Sequence, residues 1–265
     1  MNKPVWIAGI ARGHNAGVCL LKDGEVIFAI EEERLTRQKY DGAPYAAIVK
    51  ILEYTDKLDY LIVAHTQSLQ SSAGKIDFSG DDPYTGLARK LGLIQRGHNS
   101  YAESHPQVID LSHIHHKLHA ACAFYRSGFD SAVALVVDGA GTFLDFRINN
   151  EVMTCWETES IFDCEYPETF KTFYKHVGVR GPMIGNKIIE FSSEMFDEPA
   201  DATHILHISE NAGITKAYEA VTEYCGFQFI EAGKTMGLFP YGKENSKCPK
   251  IFRDDTIYPI ADRQV

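Results

Sequence analysis

Three residues with metal-binding side chains lie close together near the middle of the chain. His115 and His119 are four positions apart, so on a helix both imidazoles project from one face and can converge on a single ion. His116 would point elsewhere. Asp138 follows the run from Ser131 to Val137, whose small and β-branched residues favour a buried strand, and open sheets bind ligands at their strand ends. This spacing predicts a metal site formed by His115, His119 and Asp138.

Two imidazoles and one carboxylate leave coordination positions open, which suits an ion that polarises a substrate oxygen, such as iron(II), zinc or manganese. The sequence also permits a simpler interpretation. Four histidines stand within seven residues, and they could form a solvated surface cluster or a helix whose ring nitrogens are satisfied by neighbours: His113, His115, His116 and His119. Spacing alone leaves both interpretations open.

The segments around these residues predict a strand-helix-strand unit. Apolar side chains recur at helical spacing after His115, and Ser127-Gly128 is a typical end for the helix. The strand before the helix is predicted at Gln107 to Leu111, and the strand after it ends at Asp138. A turn at Gly139 to Gly141 follows, where the backbone can approach a ligand.

The first part of the chain predicts an antiparallel meander. Asp23-Gly24 is a strong hairpin signal between two strand-like runs. The predicted elements up to the histidine helix are strands at 5–10, 17–21 and 25–30, a helix at 45–54, a strand at 60–64, an exposed excursion at 67–82 and a helix at 83–93.

A similar pattern begins again after Asp138, with predicted strands at 143–148 and 151–158. Beyond Pro167 the pattern predicts mostly helix, most clearly at 212–225, before glycines at 226, 233 and 237 that we interpret as breakers. The repetition suggests an α/β fold with the duplicated, ribonuclease H-like lobes of the actin, sugar kinase and heat-shock ATPase superfamily. The expected lobes are 1–137 and 138–265, the second one incomplete.

Composition limits the function classes. The chain has 265 residues, 45% of them hydrophobic and 23% charged, as expected of a globular protein with a substantial core. Its net charge of −10 argues against a broad nucleic-acid-binding face. Six scattered cysteines, the lack of a signal peptide and the lack of an apolar run of about 18 residues predict a cytoplasmic protein without a membrane anchor.

Four segments resemble the O-carbamoyltransferase family, which includes nodulation protein U and the carbamoyltransferases of cephamycin and tobramycin synthesis. They are Gly13 to Gly17, Glu32 to Lys39, the histidines with Asp138-Gly139, and Gly233 to Gly242. Residues 213–227 are similar to the family's helix before the last motif. The resemblance covers nearly the whole chain, in the family's order and spacing.

The resemblance implies a two-stage reaction. Carbamoyl phosphate and ATP give carbamoyl adenylate, which passes its carbamoyl group to the hydroxyl of a small-molecule acceptor. A metal, usually iron(II), would be bound by the residues matching His115, His119 and Asp138. His14 would be the general base, since imidazole exchanges protons near neutral pH. Lys39 would supply a cation for a phosphate or carbonyl oxygen, although its segment could also be a solvated run of charges.

The resemblance also implies nucleotide binding. Gly139 and Gly141, like Gly233 and Gly237, would let backbone amides approach phosphates or an adenine, and Lys234 would neutralise a phosphate. Glycine-rich turns are common without any ligand, so each position could equally be an ordinary turn.

The chain departs from the family in two places. Its His14-Asn15-Ala16-Gly17 replaces the usual His-Asp-Ser-Ser, which leaves the acceptor undefined. The family's later metal-binding aspartate and its carbamoyl-adenylate-forming domain are not found before Val265. We therefore expect a partial enzyme that needs a partner chain, or that self-associates. The alternatives are a non-catalytic metal- or nucleotide-binding protein and a relative of the tRNA-threonylcarbamoyl-transferring proteins.

Overall fold

The computed structural model describes residues 3–64, 85–95, 105–148, 151–179, 187–192, 203–209 and 213–247. The chain divides into two compact units, Met1–His115 and His116–Val265, and each contains one sheet. The division falls where the histidine helix begins, so the strand before Asp138 belongs to the second unit. The predicted exposed excursion at 67–82 lies outside the described residues. The α/β class is confirmed, and the lobe boundaries stay a prediction.

The first unit contains a mixed five-stranded sheet in the order β3-β2-β1-β4-β5. The meander of β1, β2 and β3 is antiparallel, whereas β4 and β5 continue parallel to β1. The elements are β1 (Trp6–Ala11), β2 (Gly17–Lys22), β3 (Glu25–Glu31), α1 (Glu32–Thr36), α2 (Tyr45–Lys50), β4 (Tyr60–Val63), α3 (Thr85–Leu91) and β5 (Val108–Asp110), with 3₁₀ turns at Ile51–Glu53 and Ser112–Ile114.

The sequence signals for the meander are confirmed. Asp23 and Gly24 both have positive φ, at 52° and 86°, as the tight hairpin turn requires. Alternate residues of the central strands, such as Ile10 and Leu20, are fully buried. They pack with Ile48 of α2 in one hydrophobic core.

Glu32 lies inside the first unit although its neighbours in sequence are charged. Its side chain is 2% exposed, and its carboxylate accepts hydrogen bonds from the N–H groups of Ala46 (2.7 Å) and Ala47 (2.8 Å). These donors belong to the first turn of α2, which has no intrahelical acceptors for them. Glu32 therefore caps α2 from a distant point in the chain.

The second unit contains a six-stranded sheet, in which five strands follow the order β10-β11-β9-β8-β6 and β7 pairs with β8 beside them. All pairings are antiparallel except that of β9 with β11. The elements are α4 (His115–Ser127), β6 (Ser131–Val137), β7 (Phe143–Ile148), β8 (Glu151–Glu165), β9 (Thr169–Val179), β10 (Lys187–Ser192), β11 (Thr203–Ser209), α5 (Gly213–Tyr224) and α6 (Ala232–Leu238), with 3₁₀ turns at Phe229–Glu231 and Phe239–Tyr241.

The prediction of mostly helix beyond Pro167 is wrong, because β9, β10 and β11 are strands. Lys175 and His176 interrupt the apolar alternation of β9, yet they are 3% and 1% exposed. They are buried because acidic residues of β8 pair with them. Gly233 and Gly237 do not break a helix either: both lie inside α6.

Strand β6 is buried on one face only, which corrects the prediction of a buried strand. Ala132, Ala134 and Val136 belong to one hydrophobic cluster with Phe124 of α4. On the opposite face Val133 and Leu135 are 72% and 67% exposed.

Among the described helices, none is long and apolar enough to cross a membrane.

We predict that Glu32→Ala destabilises the protein by about 2–4 kcal/mol, because two N–H groups at the start of α2 lose an ionised acceptor. Urea unfolding measures this. Glu31→Ala is the matched control: Glu31 is half-exposed and pairs only loosely with Arg34, at 3.4 Å, so its loss is expected to cost less than about 0.5 kcal/mol. Equal effects of the two substitutions would contradict the capping role.

Candidate metal centre

Helix α4 and the end of β6 bring the three predicted ligands together. One donor atom from each of His115, His119 and Asp138 lies within 4.8 Å of the others. His119 Nε2 is 4.0 Å from Asp138 Oδ2. Two imidazole nitrogens and one carboxylate oxygen form a donor set that suits iron(II), zinc or manganese and leaves coordination positions for a substrate. These residues could therefore hold an ion.

The three side chains differ in exposure. His115 and Asp138 are half-buried, whereas the side chain of His119 is 54% exposed. The centre is thus anchored on one side and open to solvent on the other. An open side is what a site needs if its ion is to meet a substrate.

His116 lies close to Asp138, a contact that the helical spacing does not indicate. This side chain is fully buried, and its Nε2 lies 3.7 Å from Asp138 Oδ2. Its Nδ1 is 2.8 Å from Ser160 Oγ on β8. His116 therefore lies behind the candidate ligands and contacts one of them, although it does not share their face of the helix. Its partner on β8 is 44 residues away, so no local pattern could have revealed it.

The turn after Asp138 is held by hydrogen bonds within the second unit. Gly139 N–H donates to Asp138 Oδ1 (2.6 Å), and Gly141 N–H donates to the Glu157 carbonyl (2.9 Å). Thr215 Oγ1 of α5 donates to the Asp138 carbonyl at 2.8 Å. Both glycine amides thus have acceptors inside the protein, and their predicted phosphate contacts stay a prediction.

Gly141 is required by the side chains around it. A Cβ atom at this position would lie 2.5 Å from His116 Cδ2 and 2.8 Å from Glu157 Oε2, both buried. Glu157 also accepts a hydrogen bond from Thr142 N–H at 2.9 Å. The glycine lets the turn approach the histidine and the carboxylate closely.

Glu157 forms a buried ion pair with Lys175. Burial raises the pKa of Glu157, but the neighbouring charged and hydrogen-bonding groups, Lys175 foremost, together hold the pKa below its ordinary value. Lys175 Nζ also lies 3.4 Å from Ser160 Oγ. The pair therefore links the turn after Asp138 to the residue that contacts His116.

A second buried pair lies beside the first. Glu159 accepts hydrogen bonds from His176 Nδ1 (2.5 Å), from Thr158 Oγ1 (2.7 Å) and from Ile214 N–H (2.8 Å). Burial raises the pKa of Glu159, but these bonds, that from His176 foremost, bring it below its ordinary value. Gly213, with φ of 73°, lets the start of α5 reach this carboxylate.

The predicted nucleotide-binding residues of the last motif lie on α6. Gly233 and Gly237 are exposed, and a Cβ at either would meet nothing within 4 Å. Lys234 pairs with Glu231 and lies 5.4 Å from the centre of the Phe227 ring. Their nucleotide-binding role stays a prediction.

His14 and Lys39 belong to the first unit. His14 is exposed in the turn after β1, which is closed by a hydrogen bond from Ala16 N–H to the Gly13 carbonyl (3.0 Å). Lys39 is 67% exposed and pairs with Glu33 at 3.2 Å. The hydrogen bond from the Tyr40 N–H lowers the pKa of Glu33 most, and the contact with Lys39 lowers it further. Both candidates are open to solvent, and their catalytic roles stay a prediction.

A family model and several curated proteins match this chain. The family model described as "Carbamoyltransferase N-terminus" matches residues 60–256. Nodulation protein NolNO of Sinorhizobium fredii is 31% identical over 139 residues, which cover 49% of this chain and 20% of that protein. An uncharacterised protein of Synechocystis is 24% identical over 87% of this chain and 33% of its own length. One of Methanocaldococcus jannaschii is 24% identical, over 87% of this chain and 40% of its own length.

The environment of Gly141 predicts that Gly141→Ala destabilises the protein by about 1–3 kcal/mol, because the methyl group would overlap buried atoms of His116 and Glu157. Gly233→Ala is the matched control. Its methyl group would meet open space on a helix, so we expect no loss and a gain of up to about 1 kcal/mol. Thermal unfolding of the two variants measures the difference, and a Gly141→Ala protein as stable as the original would contradict the close approach.

Proposed function

The chain belongs to the carbamoyltransferase N-terminal family, and we propose that it transfers a carbamoyl group from carbamoyl adenylate to the hydroxyl of a small-molecule acceptor. Carbamoyl adenylate would be made from carbamoyl phosphate and ATP. The chain spans between a fifth and two-fifths of the curated relatives described above, so this activity is proposed for the part of the enzyme that the chain represents.

One observation supports this proposal most strongly. The donor atoms of His115, His119 and Asp138 lie within 4.8 Å of one another on the helix and strand end where the sequence predicts them. These three residues would hold iron(II), with zinc and manganese as the alternatives that the donor set allows. The ion, when bound, would polarise the carbamoyl carbonyl.

The remaining residues of the proposal have assigned tasks. His14 would accept the proton of the acceptor hydroxyl as the acceptor oxygen bonds to the carbamoyl carbon and the bond from that carbon to the adenylate oxygen breaks, releasing AMP. Lys39 would bind an oxygen of the carbamoyl adenylate, and Lys234 a phosphate. The glycines would allow backbone amides to approach the nucleotide: Gly139, Gly141, Gly233 and Gly237.

A ribonuclease H-like fold is part of the proposal. In the first unit an antiparallel meander precedes two parallel strands in the order β3-β2-β1-β4-β5, and helices follow between the strands. This arrangement supports the lobe that the family resemblance implies. In that interpretation β6, which follows α4, ends the first lobe at residue 137, and β7 is the first strand of the second lobe.

A partner surface is also proposed on the second unit. Within the described residues, β6 is at the end of its sheet, with Val133 and Leu135 exposed beside a cleft of about 460 Å³ that also touches α4. In the first unit the central strand β1 has neighbours on both sides. Since the relatives are two and a half to five times longer than the matched region, we propose that a strand from the C-terminal part of the enzyme pairs with β6.

We predict that the purified chain binds one iron(II), zinc or manganese ion and releases AMP from synthetic carbamoyl adenylate when offered hydroxyl acceptors. His119→Ala is expected to weaken metal binding at least tenfold, because it removes one of three donors. His113→Ala is the control: His113 is exposed in the 3₁₀ turn before α4 and lies outside the donor set. His14→Gln is expected to lower AMP release about a hundredfold while metal binding is unchanged.

Three outcomes would contradict this proposal. Metal that survives His119→Ala would place the ion elsewhere, and equal losses in His113→Ala and His119→Ala would indicate non-specific binding. A metal-loaded chain that releases no AMP, even with the C-terminal part of the enzyme added, would favour the non-catalytic alternative.

The partner surface gives a separate prediction. When the C-terminal part of the enzyme is added as a second polypeptide, hydrogen exchange at residues 131–137 is expected to slow, because a new strand would cover these amides. Val133→Lys should weaken that complex at least tenfold, whereas Val26→Lys should not, since Val26 is 49% exposed on the other sheet. Unchanged exchange in the complex would contradict the proposal, and slowing that depends only on the concentration of this chain would indicate self-association instead.

A further inference from the structure

Behind the candidate metal ligands, a chain of buried polar side chains runs from Asp138 into the second sheet. His116, Ser160, Lys175 and Glu157 are each no more than 3% exposed. Burying a lysine and a glutamate together costs free energy, and an apolar pair would fill the same space without that cost. Packing alone therefore does not explain why these polar side chains are buried.

The geometry defines how His116 is held. Lysine has only donors, so at 3.4 Å the hydroxyl oxygen of Ser160 is the acceptor for Lys175 Nζ. His116 Nδ1 is 2.8 Å from the same Ser160 Oγ, within hydrogen-bond distance. The opposite ring nitrogen, Nε2, faces Asp138 Oδ2 at 3.7 Å. Ser160 thereby holds the imidazole ring with Nε2 directed at Asp138.

Asp138 is approached on both carboxylate oxygens. Oδ1 accepts the N–H of Gly139 at 2.6 Å, while Oδ2 faces His116 Nε2 and, at 4.0 Å, His119 Nε2. The hydrogen bond from Gly139 fixes the turn. His116 approaches the other oxygen, Oδ2, which also faces the candidate ligand His119. A group in this place sets the orientation of the carboxylate plane.

Lys175 is also connected, through Glu157, to the turn after Asp138. Lys175 pairs with Glu157, whose Oε2 accepts the N–H of Thr142 and lies against Gly141. Both ends of the turn that begins at Asp138 are thus tied to one buried ammonium group, one through Glu157 and one through Ser160 and His116.

We propose that His116 is a positioning residue that orients Asp138 for metal binding, and that Ser160 and Lys175 fix the orientation of its imidazole ring. The inference rests on the proposed metal site, since orienting Asp138 matters only if Asp138 is a ligand. It adds a role for three residues that the metal-binding spacing does not include. Outer partners of this kind commonly change metal affinity by 10–100-fold.

Cobalt(II) tests the inference, because its visible absorption reports ligand geometry independently of activity. Affinity is measured by competition with a chromophoric chelator in four variants. His116→Leu and Ser160→Ala are expected to weaken cobalt binding about tenfold or more and to shift the absorption spectrum. His116→Gln, whose amide N–H can take the place of the ring nitrogen that faces Asp138, should bind cobalt within about threefold of the original affinity. Thr222→Val is the control, a buried hydroxyl whose partners are Tyr218 and Thr235.

The outcomes separate this inference from the proposed function. If the original chain binds no cobalt, or binds it unchanged in His119→Ala, the metal site itself is wrong. If the original binds cobalt through His119 but Ser160→Ala and both His116 variants keep its affinity and spectrum, the positioning role is overturned. Should His116→Leu fail to fold, Ser160→Ala and His116→Gln decide alone. Equal spectral shifts in Thr222→Val would show that any buried hydroxyl has the same effect.

Discussion

The burial of two carboxylates on one strand governs the architecture of the second unit. Glu157 and Glu159 are 1% and 5% exposed, and a carboxylate removed from water must be compensated by cations and hydrogen bonds. Strand β9 supplies both partners: Lys175 pairs with Glu157, and His176 hydrogen-bonds to Glu159. The remaining carboxylate oxygens recruit backbone N–H groups from Thr142 in the turn and from Ile214 at the start of α5. One pair of acidic residues thus holds a strand, a turn and a helix in register.

The sequence predicted elements well where local signals are sufficient. The hairpin at Asp23-Gly24, the helix that begins at His115 and the strand at 131–137 depend on turn chemistry and hydrophobic periodicity, and all three are confirmed. Strand β9 was missed for a physical reason. Its Lys175 and His176 are buried by long-range pairing with β8, so polar residues stand where a periodicity argument expects solvent. Exposure of β6 was missed because a run of apolar residues does not show how many faces are covered.

The candidate site likewise has a part that the sequence predicts and a part that it does not. The convergence of His115, His119 and Asp138 follows from the helical period and the position of a carboxylate at a strand end, both of which the sequence contains. The place of His116 does not, because it depends on the antiparallel register that sets Val136 opposite Ser160. That register is fixed by residues more than twenty positions apart. The outer contacts of the site are therefore a property of the tertiary fold.

The two lysines in this account illustrate how burial separates structural from substrate-binding charges. Lys39 forms a pair with Glu33 while 67% exposed, and such exposed pairs contribute little to stability because water and salt screen them. Lys175 is enclosed with Glu157, and breaking that pair would leave an uncompensated charge at a cost of about 3–5 kcal/mol. A substrate therefore cannot take the place of Glu157 beside Lys175. Exposure therefore leaves Lys39 accessible for the substrate oxygen proposed for it, whereas Lys175 is held in place by its buried pair.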